Sequence, residues 1–284
     1  MKIKGSTNIV GLIGHPVEHS FSPPMHNAAF DALNMDYAYV AFDVNPNDLK
    51  SAIEGAESLN IKGFNVTIPH KVDVMQYLDE LDEVARLIGA VNTIDFKNLK
   101  GYNTDGIGAV KAIEEVTSIK NKNVVVAGAG GASRAISFYI AKYGAESLTI
   151  LNRNEAKAES LASDVSDSGL IGEVASDSIN AIGNYMGSAD VLIDTTPLGM
   201  HPNINDEPIV KADMMDEDLV VFDAVYNPNE TVLIKEAIKA NAKPVYGIKM
   251  LLYQGAESFK IWTGKTAPVD VMEKALRNTL NLEW

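Results

Sequence analysis

A chain of 284 residues with a formal net charge of -14 and no cysteine excludes disulfides and thiolate metal sites, and its acidity argues against nucleic acid or an anionic membrane as main partner. The length suits two domains better than one core, and no apolar run is long enough to cross a bilayer. The stretch 9–13 is too short and glycine-broken for a signal peptide, so the reading is a soluble cytoplasmic protein in which any anionic ligand must meet locally placed cations.

Asn8–Gly14 reads as a strand and 23–33 as a helix opened by Ser22-Pro23-Pro24, with serine as N-cap and proline in the first turn. Ser20 and Ser22 lie just before that helix, where two hydroxyls and the helix dipole suit a carboxylate. Equally, Ser22 only caps and Ser20 only faces water; spacing leaves the two readings even. His15, His19 and His26 have no carboxylate at a ligating offset and read as core or surface histidines.

A strand over 37–43, a helix over 46–57 and a strand over 63–68 follow, then a helical stretch through Leu78. Lys71 falls in what reads as the first turn of that helix, where a cation opposes the macrodipole and the neutral amine is favoured, a useful property for proton transfer. The alternative is an exposed lysine tolerated at small cost. The segment 89–94 begins another strand, and 101–106 closes the region with Asp105, either a turn residue or a partner of Lys71. Alternating strands and helices imply a mostly parallel sheet.

The stretch 123–154 organises the chain. An apolar strand at 124–127 runs into Gly128, Gly130 and Gly131, then Ile136, Tyr139, Ile140 and Tyr143 recur at helical spacing up to Gly144, and a second strand ends at Asn152. Glycines between strand and helix let backbone amides approach a pyrophosphate at the positive helix end. An NAD site places an acidic residue at the second strand's tip. Here stand Asn152, Arg153 and, one turn on, Lys157, which suit a 2′-phosphate, so the reading is NADP. Arg134, in the first turn of the helix, either faces phosphate or pairs on the surface. The acidic cluster 213–218 reads as a surface turn, and 249–264 and 268–280 as two helices with apolar stripes, Trp262 lying in the core.

A series of motifs runs nearly the whole length of the chain, in order: Ser20-x-Ser22-Pro with His26-Asn27, Asn65-Val-Thr67-x-Pro-x-Lys71, Gly89-Ala-Val-Asn92-Thr93 and Asn103-Thr104-Asp105. They continue with the glycine turn, Asn152-Arg153, Thr195-Thr-Pro-Leu-Gly-Met200, Asp223-x-x-Tyr226-x-Pro228 and Gln254-Gly255-Ala256. In these motifs the chain resembles the shikimate dehydrogenase family. The resemblance implies an N-terminal α/β substrate domain over 1–105, a Rossmann-like NADP-binding domain over 106–242, and a C-terminal segment over 243–284 returning to the first domain. It implies reversible NADPH-dependent reduction of 3-dehydroshikimate to shikimate, in the shikimate pathway of aromatic amino acid biosynthesis, without a metal.

Residue by residue, the family pattern implies Lys71 and Asp105 as catalytic groups. It implies Ser20 and Ser22 at the substrate carboxylate, and Thr67, Asn92, Asp105, Tyr226 and Gln254 at the rest of the substrate. The cofactor would meet Gly128, Ala129, Gly130, Gly131, Ala132, Asn152, Arg153, Asn154, Lys157, Ala224 and Gly247. Asp95, Asp194 and Asp223, at strand ends, read as structural. Expected partners are the small-molecule substrate and NADP, with the chain a monomer or homodimer. The alternatives are a quinate/shikimate dehydrogenase using NAD as readily as NADP, a methylene dehydrogenase of the folate type sharing only the cofactor fold, and a non-catalytic sensor. The intact substrate motifs, with Lys71 and Asp105 both present, argue against the last two.

Overall fold

Residues 2–280 are described in a computed structural model. The chain divides into two units: residues up to Thr104 together with those from Leu252 onward, and Asp105–Leu251.

In the first unit the order is β1 (Asn8–Gly14), α1 (Ser22–Ala32), β2 (Tyr37–Asp43), α2 (Leu49–Ser58), β3 (Gly63–Val66), β4 (Glu80–Leu81), α3 (Glu83–Ile88), β5 (Thr93–Asp95) and β6 (Lys100–Tyr102). Its six-stranded sheet runs β2-β1-β3-β5-β6-β4. The β1 strand pairs in parallel with β2 and β3, whereas β5 runs antiparallel to β3 and β6. Ile13, Leu49, Ile53, Phe64, Val66, Val74 and Ile94 form one apolar core, each fully buried side chain of this size contributing about 2 kcal/mol.

Three local expectations fail in this unit. Ser22 is not the N-cap: Phe21 takes that position in a helical conformation without a side-chain cap bond, and Ser22 is the first helical residue. The stretch 46–57 starts as a 3-10 turn, Pro46–Asp48, whose N-cap Asn45 accepts from the Asn47 amide, before α2. After Val66 there is no α-helix to Leu78. Lys71 sits in a turn before a 3-10 segment, Asp73–Tyr77, so the macrodipole argument for it does not apply. Val72, Val74, Met75 and Leu78 imitate helical spacing, but the chain turns extended at Leu78 to reach β4.

The second unit contains α4 (Asp105–Glu114), β7 (Asn123–Ala127), α5 (Gly131–Lys142), β8 (Ser147–Asn152), α6 (Glu155–Asp167), β9 (Glu173–Ser178), α7 (Gly183–Met186), β10 (Val191–Asp194), β11 (Val220–Asp223), α8 (Val232–Lys239) and β12 (Lys243–Val245). All six strands are parallel, in the order β12-β11-β10-β7-β8-β9. This is the doubly wound arrangement, with the strand order reversing between β7 and β10. The chain goes back to the first unit within α9 (Gly247–Thr263), followed there by α10 (Val269–Thr279). Because β12 belongs to the second sheet, that unit extends to Leu251 rather than ending at residue 242.

Within the first unit α10 packs along α1. Phe30 stacks on Phe259 of α9 at 5.1 Å, and the buried Trp262 donates its Nε1 proton to the Ile94 carbonyl at 2.9 Å. The segment 213–218 forms a surface turn in which Asp216 accepts from the Asp218 and Leu219 amides.

Candidate active site

The first unit gathers polar side chains at the carboxyl ends of β1 and β3. The Thr67 amide donates to the Ile13 carbonyl at 2.9 Å, which holds the end of β3 beside the end of β1. From there the chain turns through His70 and Lys71, and the Lys71 carbonyl accepts from the Val91 amide at 2.8 Å, fixing Lys71 beside the segment that carries Asn92. On the other side, Ser20 Oγ accepts from the Ser22 amide at 3.2 Å. Ser20 is partly exposed and Ser22 buried.

Behind these residues runs a hydrogen-bond network that the sequence does not announce. Tyr39 donates its hydroxyl proton to Asn65 Oδ1 at 2.9 Å, and Asn65 Nδ2 donates to the Asn92 carbonyl, Thr93 Oγ1 and Ser258 Oγ at 3.2, 3.1 and 2.9 Å. Asn92 Oδ1 accepts from the Thr104 amide at 2.7 Å, and Ser258 Oγ donates to the carbonyl of Gln254 at 3.0 Å. Burial pushes the Tyr39 phenol well above its usual range, while the Ser22 hydroxyl beside it opposes that shift. A satisfied network of this kind fixes its members; it holds Asn92 through its side chain and Gln254 through its backbone carbonyl. The one available signal, Asn65 and Thr93 inside apolar strands, marks buried polar positions without naming their partners.

In the second unit the glycine turn follows β7. Gly128 has φ +110°, and a Cβ there would lie 2.3 Å from Thr195 Oγ1, so conformation and space both require glycine. Gly130 is the N-cap of α5 without a side-chain cap bond, and both Gly130 and Gly131 face open space. The first amides of α5 are therefore offered to an anion. At the tip of β8, Asn152 Nδ2 donates to the Asn154 carbonyl at 2.9 Å, and Asn154 caps α6 by accepting from the Lys157 amide at 3.2 Å.

Between the starts of α5 and α6 lies a pocket of about 320 Å3 lined by Ala129, Arg134, Asn154, Lys157 and Ser160 among others. Arg134 extends over the Phe138 ring, 5.2 Å from its centroid, and pairs with Asp164. Of the two readings left open for Arg134, the ion pair is formed, and the side chain also lines the pocket. Arg153 is exposed and is not among the lining residues. Two cations lining a pocket next to the uncapped start of α5 fit a nucleotide phosphate.

Ala224 and Gly247 also meet in this unit. A Cβ on Gly247 would lie 2.6–2.7 Å from the carbonyl oxygens of Val225, Ala224 and Asp223, so the backbone after β11 runs directly against the first residue of α9. Tyr226 is half-buried, which raises its phenol pKa. Asp105 opens α4, one residue after the network member Thr104.

A doubly wound parallel sheet with a glycine turn and a cationic pocket, in one chain with an α/β unit that collects hydroxyls, amides and a lysine, defines the class: a two-unit dinucleotide-dependent oxidoreductase. Family models match along the chain: the shikimate dehydrogenase substrate binding domain over residues 12–94, shikimate / quinate 5-dehydrogenase over 110–235, and the shikimate 5'-dehydrogenase C-terminal domain over 247–277. The shikimate dehydrogenase (NADP(+)) of Methanobrevibacter smithii is 72% identical over 280 residues, covering 99% of this chain and 100% of the relative. A crystal structure of shikimate dehydrogenase in complex with NADP+ superposes with a TM-score of 0.90 at 50% identity, covering 98% of each chain. The shikimate 5-dehydrogenase of Listeria monocytogenes, solved with shikimate and NAD, gives a TM-score of 0.92 at 35% identity over 97% of this chain and 98% of that one. The chain belongs to the shikimate dehydrogenase family.

Proposed function

We propose that this chain catalyses the reversible NADPH-dependent reduction of 3-dehydroshikimate to shikimate, in the shikimate pathway that feeds aromatic amino acid biosynthesis. The observation that carries the reading is the 72% identity to a shikimate dehydrogenase (NADP(+)) over 99% of the chain. NADPH supplies the hydride. Lys71 delivers the proton to the developing alkoxide and takes it back in the reverse direction, and Asp105 is its carboxylate partner.

Ser20 and Ser22 hold the carboxylate. Thr67, Asn92, Asp105, Tyr226 and Gln254 match the remaining polar groups of the substrate, since each unmatched hydroxyl costs affinity. The first amides of α5, with residues 128–132, cradle the pyrophosphate. Asn152, Arg153, Asn154 and Lys157 read the adenosine ribose and its 2′-phosphate, and Ala224 and Gly247 approach the nicotinamide. The enzyme works in the cytoplasm, as a monomer or homodimer, without nucleic acid or membrane partners; the absence of cysteine suits a reducing compartment.

Initial rates with shikimate and with quinate, each with NADP+ and with NAD+, test this reading. Shikimate with NADP+ is expected to dominate the four combinations. Comparable rates with quinate and NAD+ would replace the assignment by a dual-specificity dehydrogenase, and ligand binding without turnover of any pair would replace it by a sensor.

A further inference from the structure

The strands β10 and β11 end side by side on two aspartates. Parallel register sets Asp194 against Asp223, so both carboxyls leave the sheet on the same face. They are 1% and 0% exposed. Asp194 Oδ1 accepts from the Thr196 amide at 2.8 Å, while Asp223 accepts from the Val225 amide at 2.9 Å and from the Thr231 hydroxyl at 2.5 Å.

Among the described residues no cation offsets either charge. The surrounding segments carry His201, Tyr226, Glu230, Lys235, Glu236, Lys239, Lys243 and Lys249, and none of them acts on either carboxyl. Lys243 is paired with Asp218, Lys239 with Glu236 and Lys249 with Glu115, and β7 contributes no titratable group. Two adjacent buried carboxylates without a counterion do not both ionise. Burial pushes both upward, and the Asp223 charge pushes Asp194 further, while the Thr196 amide and hydroxyl oppose the shift at Asp194 and the Thr231 hydroxyl and Val225 amide oppose it at Asp223.

The backbone at each aspartate bears on the dinucleotide half of the unit. Thr195, next to Asp194, donates its hydroxyl to the Ala127 carbonyl at 2.8 Å, and its Oγ1 occupies the place a side chain on Gly128 would need. The Asp223 carbonyl is one of the three that crowd Gly247. We propose that Asp194 and Asp223 share a single negative charge and that this pair positions the segments after β10 and β11 against the glycine turn and Gly247 for dinucleotide binding. The role rests on the cofactor reading given above. Ionising the second carboxyl puts two like charges side by side, forces the strand ends apart and shifts both segments.

The test is binding of NADPH, whose nicotinamide is uncharged, followed by its fluorescence at pH 7 and pH 9.5. Wild-type protein is expected to lose about fivefold or more in affinity, approaching about tenfold per pH unit once the pair titrates. Asp194→Asn keeps an acceptor for the Thr196 amide and removes the titration, so its affinity is expected to change less than about twofold. Titration calorimetry at pH 8.5 in buffers of different ionisation enthalpy is expected to show proton uptake on NADPH binding by the wild type, a readout that needs no variant. A flat wild-type profile, absence of proton uptake, or the same alkaline loss in Asp194→Asn, which retains Tyr226 and Lys157, overturns the proposal. Failure of NADPH to bind at any pH would instead overturn the cofactor reading.

Discussion

Among single residues, His26 shows how a side chain can be buried without serving as a ligand. It is fully buried, its ring stacks on Tyr39 at 4.4 Å, and neither ring nitrogen has a hydrogen-bond partner among the described residues. Desolvation lowers its pKa from 6.5 to about 3. The folded state therefore stays neutral while the unfolded chain takes up a proton below pH 6.5. Stability present above pH 6.5 is lost progressively as pH falls toward 3, reaching about 2 kcal/mol at pH 5 from this residue alone. Denaturant unfolding of wild type and His26→Phe at pH 7 and pH 5 checks it: the wild type is expected to lose about 2 kcal/mol more than the variant across that range. Equal losses would mean that His26 is hydrated or paired in the folded protein.

Elements were legible where their cause is local. The strand–glycine–helix–strand unit at 123–154 follows from apolar runs and glycine placement, and β2 from the alternation over 37–43. The failures have nonlocal causes. Ser22 reads as a cap because the rule sees serine before proline, yet the backbone already turns helical at Phe21. Lys71 reads as helical because Val72, Met75 and Leu78 are spaced by three, yet the pull of β4 toward its parallel partner β6 leaves only a 3-10 turn. The pairing of Asp194 with Asp223, and the reach of Arg134 to Asp164, depend on which elements become neighbours. The consequence for cofactor choice lies at the α5–α6 pair. Because Lys157 lines the pocket and Arg153 does not, Lys157→Ala is expected to weaken binding of adenosine 2′,5′-bisphosphate about tenfold, a charge-assisted bond being worth roughly 1.5–3 kcal/mol. Affinity for 5′-AMP is expected to stay unchanged. Calorimetric titration of both nucleotides checks this, and loss in Arg153→Ala instead would move phosphate recognition to the exposed strand tip.

Across the whole molecule, each unit has an apolar core of its own, built around Ile13, Phe64 and Ile94 in the first and Val125, Leu192 and Val221 in the second. The chain passes between units at Thr104 and again within α9. A ligand stabilises only the state that binds it, by about 2.7 kcal/mol at a hundred times its dissociation constant, and local opening is suppressed first where contacts form. NADP+ is therefore expected to raise amide protection in β7, α5 and β8 more than in β1 and β3, and shikimate to do the reverse. Hydrogen exchange with each ligand alone reads the two cores separately. If either ligand raises protection equally in both sheets, the units open as one cooperative body, and the link at Thr104 and the continuous helix α9 are the covalent connections available to that coupling.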